Sequence, residues 1–170
     1  NIELLEQAFH HRSASNENKS EKLYNNERLE FLGDSVLGLS TADFLYRKFA
    51  VNHPEGDLAK IKASVVSEKS LAPIAIKFGM DKMLVLGRGE ELTGGRNKPA
   101  ILADCMEAVI GAYYLDAGYE KCEKFVLSFI EPEIEKCIHG AGKDYKTLLQ
   151  EYYQKFHKSP PVYNLLSVSG

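Results

Sequence analysis

Apolar residues recur every three or four positions along most of this chain, which is the spacing of an amphipathic α-helix. In the clearest stretch, Leu29, Leu32 and Val36 would lie on one side of a helix. The spacing predicts long helices over residues 26–49, 100–116 and 120–138, and shorter ones over residues 2–9, 57–65 and 67–78. The hydrophobic pattern therefore predicts an all-α fold for residues 1–140.

Polar or glycine-containing segments separate these helices. Residues 13–22 are rich in Ser, Asn, Glu and Lys, and residues 80–99 contain GRGEE, TGGR and a proline, so we expect loops there. Residues 52–57 read NHPEGD and predict a turn, because the residue before a proline disfavours the helical region and glycine permits tight turns. Gly79 fits the end of a helix.

The pattern changes near residue 140 and indicates a second, incomplete unit. Residues 139–144 read HGAGKD and predict a linker. We therefore divide the chain into two domains, residues 1–140 and residues 141–170. A short amphipathic helix is expected over residues 144–157. Beyond it, Tyr163 and Leu165 alternate with a polar residue, which is typical of a β-strand.

Composition excludes several classes of protein. Hydrophobic residues make up 44% and charged residues 26% of the chain, as in an ordinary globular domain, and no apolar run approaches the roughly 18 residues that a membrane span needs. We therefore expect no membrane partner. The three cysteines lack CxxC spacing, which disfavours disulfides and zinc and favours a reducing cytoplasm. The net charge of −3 does not by itself indicate a nucleic-acid partner.

The clearest chemical feature is a group of acids on an otherwise apolar helix. Glu30 and Asp34 are four residues apart, so both project from one face, and Glu27 lies one turn before Glu30. Like charges at this spacing cost a helix a few tenths of a kcal/mol per pair. We therefore expect something to compensate for their clustering.

A second acidic pair lies on the helix predicted over residues 100–116. Asp104 and Glu107 are three residues apart and share a face. Small residues on both helices would allow a close approach: Gly33 and Gly38 on the first, Ala108 and Gly111 on the second. The hypothesis is that two packed helices present four carboxylates to one point, although either pair could instead form a solvated face.

Four carboxylates with no neighbouring His or Cys would form a site of hard oxygen ligands. Mg²⁺ prefers such ligands, Mn²⁺ can substitute, and Zn²⁺ is poorly matched. A metal there can activate water, shield phosphate charge and stabilise a leaving oxygen. These are the requirements of phosphodiester hydrolysis.

At these residues the chain resembles the ribonuclease III family. ERLEFLGDSVL (residues 27–37) is similar to the family signature almost letter for letter, and LADCMEAVIGAYYLDAG (residues 102–118) resembles its second acidic motif. FHHRS (residues 9–13) and PEGDLAKIKASVVS (residues 54–67) follow the family pattern in the same order. The resemblance covers about residues 2–138 and implies an all-helical endonuclease domain of bacterial type.

The resemblance implies an endoribonuclease that cuts double-stranded RNA with Mg²⁺, leaves 5′-phosphates and short 3′ overhangs, and processes ribosomal and other RNA. Position by position, it implies that the metal ligands are Glu30, Asp34, Asp104 and Glu107. Asp34 and Glu107 would be catalytic, and Glu27 would be a supporting acid beside the site.

The resemblance also implies contacts with a second subunit and with RNA. The family is dimeric, and Phe31 matches a position that inserts into the partner subunit of a homodimer. Residues 144–170 resemble the start of an α/β double-stranded-RNA-binding domain, truncated here. The RNA contacts that it implies are Thr147, Gln150 and Gln154 on one face of the tail helix. Independently of the resemblance, Asn97 and Lys98 in the loop before the second acidic helix are candidates for phosphate contacts, and solvated loop charges are the alternative.

Two other functions stay open at this point. A non-catalytic RNA-binding homologue would be expected to have lost one or more of the carboxylates, and all four are present. A small-molecule metal phosphohydrolase would be expected to show His–Asp metal spacing and no RNA-binding tail. Metal-dependent cleavage tests the first alternative, and the length of the substrate tests the second.

Overall fold

A computed structural model describes residues 1–17, 24–140, 145–159 and 161. Within these residues the chain is helical almost throughout, and a parallel β-bridge pairs His10 with Val85. The α-helices are α1 (Ile2–Phe9), α2 (Arg12–Glu17), α3 (Glu27–Phe49), α4 (Glu55–Val65), α5 (Glu68–Lys77), α6 (Met80–Met83), α7 (Arg88–Leu92), α8 (Pro99–Ala117), α9 (Tyr119–Gly140) and α10 (Tyr145–His157). The all-α prediction is therefore confirmed over the part of residues 1–140 that is described.

Local chemistry explains several helix ends. α1 begins after Asn1, whose side-chain oxygen accepts a hydrogen bond from the backbone N–H of Glu3 at 3.0 Å. α8 begins at Pro99, where a missing backbone donor costs nothing. Gly79 follows α5 with a φ of 71°, a left-handed conformation that favours glycine, as the sequence predicted.

Two segments expected to be loops instead contain short helices, so that prediction was wrong. Part of residues 13–22 lies in α2, and residues 80–99 contain α6, α7 and a 3₁₀ turn. Helices this short hold too few apolar residues to show a period. Long-range hydrogen bonds hold the two segments in place. The backbone N–H of Gly87 donates to Ser13 Oγ at 2.9 Å, and Arg96 Nη1 donates to the carbonyl oxygens of Asp81 and Leu84 at 2.8 Å.

Helix α8 forms the centre of the domain. The surrounding helices α1, α3, α5 and α9 all pack against it. Its side chains are buried on most sides, with Leu102, Met106 and Ile110 almost fully inaccessible to solvent. A helix that is enclosed in this way needs apolar residues around its whole circumference, which makes Asp104 and Glu107 unusual within it.

Helices α3 and α8 approach each other so closely that their backbones touch at two glycines. A Cβ atom added at Gly33 would overlap the carbonyl oxygen of Glu107, and one added at Gly111 would overlap the carbonyl oxygen of Leu29. The prediction that small residues bring these helices together is therefore confirmed for Gly33 and Gly111. Ala108, which lies on α8 with Gly111, is completely buried.

Gly38 does not take part in this contact, which corrects the prediction made for it. The closest atom to a Cβ added there is the amine nitrogen of Lys62 on α4, at 3.5 Å. Five residues along a helix correspond to a rotation of about 140°, so Gly38 faces a different neighbour from Gly33.

The C-terminal part is described only through α10, which confirms the helix expected over residues 144–157. The strand predicted around Tyr163 and Leu165 lies outside the described residues. The division into two domains at residue 140 stays a prediction. Among the helices described, none is both long and apolar enough to cross a membrane.

We predict opposite effects for two Gly→Ala substitutions on α3. Gly33→Ala should lower the free energy of unfolding by about 3 kcal/mol or more, because the two backbones would have to separate. Gly38→Ala should raise it by up to about 1 kcal/mol, because alanine favours a helix and space is available. Urea unfolding followed by circular dichroism measures both, and equal effects would contradict the close approach at Gly33.

Candidate metal centre

Three of the four expected carboxylates meet between α3 and α8. Glu30, Asp104 and Glu107 each offer an oxygen atom, and these three atoms lie within 4.8 Å of one another. All three side chains are half-buried. The glycine contact explains this convergence, because the backbone of Glu107 touches α3 one turn beyond Glu30. The spacing along each helix places its acids on one face, and the contact turns the two faces towards each other.

Asp34 lies at the edge of this group rather than inside it. Its side chain is exposed, and it does not belong to the set of three clustered oxygens. Its negative charge is nevertheless the strongest influence on the pKa of Glu107 after burial, so the two carboxyl groups are neighbours. Asp34 therefore faces the solvent side of the cluster.

Burial and mutual repulsion disfavour the charged forms of these acids. Burial, followed by the nearby charges of Asp34, Asp104 and Glu30, raises the pKa of Glu107 to about 8. Burial followed by the charge of Asp104 raises the pKa of Glu30. Burial followed by the charge of Glu68 raises the pKa of Asp104. A divalent cation would reverse these shifts, because it stabilises the ionised carboxylates.

The donor set fits a hard divalent cation. The clustered ligand atoms are all carboxylate oxygens, and no His or Cys belongs to the cluster among the described residues. The three cysteines are free, and two of them are buried. The residues present are therefore compatible with a divalent metal of the kind that prefers oxygen ligands.

A cleft of about 380 Å³ opens beside the carboxylates and has charged walls. Glu30 and Asp104 line it together with Arg12, Glu27 and other polar residues. Glu27 accepts hydrogen bonds from Arg12 Nη1 at 3.4 Å and from Asn25 Nδ2 at 3.1 Å. Glu27 is thus held at the cleft wall and stays outside the set of clustered ligands.

Of the loop residues expected to contact RNA, one lines this cleft. Lys98 Nζ lies 2.6 Å from Glu90 Oε1 and 3.3 Å from Thr93 Oγ1. Asn97 is exposed at the end of the 3₁₀ turn and is not among the cleft-lining residues. The neighbouring Arg96 is held by backbone carbonyls and by Glu91.

The remaining expected residues are Phe31, next to Glu30 in the sequence, and the residues of the tail helix. The side chain of Phe31 on α3 is 78% exposed, which is unusual for a large apolar residue. Gln150 and Gln154 lie on α10, where Gln154 is exposed and Gln150 half-buried. Thr147 is part of the same helix, but its side chain lies outside the described part.

Three charged residues near the cluster were not singled out from the sequence. Arg12 and Glu90 line the cleft, and Glu68 at the start of α5 raises the pKa of Asp104. The FHHRS motif contains Arg12 and was the available signal for it. Glu68 is followed by Lys69 and Glu90 by Glu91, and nothing in this local pattern indicates a site.

Comparison with known proteins identifies relatives along nearly the whole chain. A model of the Ribonuclease-III-like family matches residues 1–134. Ribonuclease 3 of Treponema denticola is 55% identical over 170 residues, which cover 99% of this chain and 68% of the relative. Ribonuclease 3 of Borreliella burgdorferi is 48% identical, covering 97% of this chain and 67% of the relative.

Solved structures show the same likeness. The nuclease domain of ribonuclease III from Campylobacter jejuni superposes with a TM-score of 0.71 at 44% identity, covering 78% of this chain and 88% of that one. Dicer from Pichia stipitis gives a TM-score of 0.58 at 25% identity, covering 98% of this chain and 73% of that one. The Campylobacter structure is described as flexible in a region involved in dimer formation.

The raised pKa of Glu107 predicts that the metal-free protein loses stability as pH rises from 4.5 towards about 8. In this window the folded state retains a proton that the unfolded state has released, so each step up in pH favours unfolding. Above about 8 the loss should level off, because both states are then ionised.

Thermal unfolding in the presence of a chelator tests this prediction. Glu107→Gln removes the carboxylate, so the variant should depend less on pH and should melt a few degrees above the parent at pH 8. Identical pH profiles for parent and variant would show that Glu107 has an ordinary pKa.

Proposed function

The chain belongs to the ribonuclease III family and is an endoribonuclease, and we propose that it cuts double-stranded RNA at a metal centre held by Glu30, Asp34, Asp104 and Glu107. The convergence of three half-buried carboxylates on one point is the observation that carries this proposal. The pKa of Glu107, raised to about 8, indicates that this carboxyl group needs a cation before it is fully ionised at neutral pH. The fold alone would not require acids there.

We propose that the metal is Mg²⁺ and that Mn²⁺ can substitute for it. The all-oxygen ligand set supports this assignment. When bound, such an ion lowers the pKa of water and shields the charge of a phosphate. Glu30, Asp104 and Glu107 would hold it together with Asp34, which lies at the exposed edge of the cluster.

The proposed reaction is hydrolysis of the bond between phosphorus and the 3′ oxygen. Water adds to phosphorus, the 3′ oxygen leaves and takes a proton, and the product ends are a 5′-phosphate and a 3′-hydroxyl. Asp34 and Glu107 are the residues proposed to orient the attacking water, because their carboxyl groups are neighbours and Asp34 is exposed. Glu27 would support the site by holding Arg12 at the wall of the cleft.

Two subunits would act on one RNA duplex. The exposed Phe31 lies one residue from Glu30, so a partner that covers Phe31 would place a second acidic group nearby. A two-fold dimer would then offer one site to each strand, which accounts for the short 3′ overhangs expected of the products.

The proposed RNA contacts lie in two parts of the chain. They are Lys98 and Asn97 before α8, and Thr147, Gln150 and Gln154 of the tail.

The tail is proposed to begin a double-stranded-RNA-binding domain at about residue 141. The helix α10 supports its first element. A role in processing ribosomal and other RNA and a cytoplasmic location are proposed from the family likeness, and the free thiols are compatible with a reducing compartment.

Cleavage of a long perfect RNA duplex with Mg²⁺ tests the proposed activity. The parent should cut the duplex to short pieces, and chelation should stop it. Glu107→Gln should bind the duplex yet cut at least about a hundredfold more slowly, because one ligand charge is lost. Binding without cleavage by the parent would favour a non-catalytic RNA-binding protein, and cleavage of only mononucleotide esters would favour a small-molecule phosphohydrolase.

Substitution of Phe31 tests the proposed dimer. Phe31→Asp should shift the protein from dimer to monomer in analytical ultracentrifugation, because it places a charge in an apolar contact. The free energy of unfolding of the isolated subunit should change by less than about 0.5 kcal/mol, because the side chain is exposed there. Leu92→Asp is the matched control, since that side chain is equally exposed on α7, and it should leave the dimer intact.

A further inference from the structure

Arg12 stands out beside the acidic cluster because its backbone is held firmly while its charge remains accessible. Just before it, the backbone N–H of His11 donates to the carbonyl oxygen of Val85 at 3.1 Å. Just after it, the hydroxyl of Ser13 lies 2.8 Å from His11 Nδ1 and accepts a hydrogen bond from Gly87 N–H at 2.9 Å. The base of the Arg12 side chain is therefore fixed on both sides.

The guanidinium of Arg12 reaches the cleft that Glu30 and Asp104 line. Its positive charge lowers the pKa of both of these acids, against the larger upward effect of burial. It is thus close enough for its charge to act on two of the proposed metal ligands. A phosphate oxygen that approached the cluster through this cleft would meet Arg12 at the wall.

The ion pair between Arg12 and Glu27 is too open to explain the arginine as a stabilising residue. The nitrogen–oxygen distance is 3.4 Å, and the two side chains are 65% and 48% exposed. Exposed ion pairs of this kind contribute little to stability. The long contact leaves most of the guanidinium donors available, and their planar fork matches the geometry of a phosphate.

We infer that Arg12 binds RNA directly, and that its guanidinium holds an oxygen of a backbone phosphate at the wall of the cleft beside the three carboxylates. The inference rests on the proposed function, and it adds to that function a residue that anchors the strand next to the acidic group. Because the backbone of Arg12 is fixed, only its side chain has to be ordered when the phosphate binds.

The first test measures RNA binding without cleavage, in a Glu107→Gln background with Mg²⁺ and a short perfect duplex. Adding Arg12→Ala should weaken binding roughly tenfold at low salt, because a charge-assisted hydrogen bond is lost. The slope of log affinity against log salt should become shallower by about one for each Arg12 that contacts RNA. Arg12→Lys should keep the slope but bind more weakly than arginine, because it lacks the fork.

Arg47→Ala is the matched control. Arg47 is 76% exposed and pairs with Asp43 at 2.7 Å, so the substitution also removes a cation and an exposed ion pair, but near the other end of α3. When Arg47→Ala is added to Glu107→Gln, the slope of log affinity against log salt should equal that of Glu107→Gln alone. An unchanged slope for Arg12→Ala, or the same decrease for Arg47→Ala, would overturn the inference.

The second test separates an RNA contact from a structural role, using Mn²⁺ binding without RNA in the otherwise unaltered chain. Arg12→Ala should bind Mn²⁺ as tightly as the parent or up to a few times more tightly, because it removes a positive charge near Glu30 and Asp104. A metal affinity that falls together with the RNA affinity would show that Arg12 only shapes the acidic site, and would overturn the inference.

The same measurements distinguish failure of the inference from failure of the proposed function. If the parent cuts RNA with Mg²⁺ and Arg12→Ala keeps the full salt slope, only the assignment of Arg12 is lost. If the parent neither cuts nor binds the duplex, the proposed function fails, and the inference fails with it.

Discussion

The close contact between α3 and α8 is the constraint on which the rest of this structure depends. Gly33 and Gly111 let two backbones touch where any side chain would force them apart. The contact encloses α8 among its neighbours and sets the rotation of both helices. The same contact that completes the core therefore decides where Glu30, Asp104 and Glu107 point.

The clustering of these acids lowers the stability of the metal-free protein and at the same time provides the metal ligands. Burial next to like charges raises the pKa of each of the three clustered acids, so the metal-free protein carries a cost that a purely structural helix pair would not have. Replacing these acids with apolar residues would relieve the repulsion and destroy the ligand set. A protein retains such a cost when the site is used, and a divalent cation is the partner that would offset it.

The cleft beside the cluster brings together parts of the chain that are far apart in sequence. Arg12 and Glu27 come from the N-terminal region, and Glu90 and Lys98 come from the segment before α8. A hydrogen bond from the backbone N–H of Gly87 to Ser13 Oγ joins these two regions, and a Cβ atom at Gly87 would approach the carbonyl oxygen of Ser13 to 2.5 Å. The charged walls are thus positioned by short segments that have little hydrophobic pattern of their own.

The sequence by itself determined the long helices, the acidic faces on α3 and α8, and the family to which the chain belongs. Periodic apolar residues and contiguous motifs carry that information locally, as Leu29, Leu32 and Val36 illustrate on α3. The predicted strand of the tail lies outside the described residues, so the structure neither supports nor contradicts it.

Only the tertiary structure decided which glycines make the helix contact, which acids cluster and which cations face them. Gly33 and Gly38 have the same local appearance, yet one meets the backbone of α8 and the other meets Lys62. Asp34 and Glu30 share a helical face, yet Asp34 stays exposed while Glu30 joins the cluster. Arg12 and the short helices α2, α6 and α7 are placed by contacts with distant segments. Periodicity describes one helix at a time, whereas the distance and rotation between helices are set by packing.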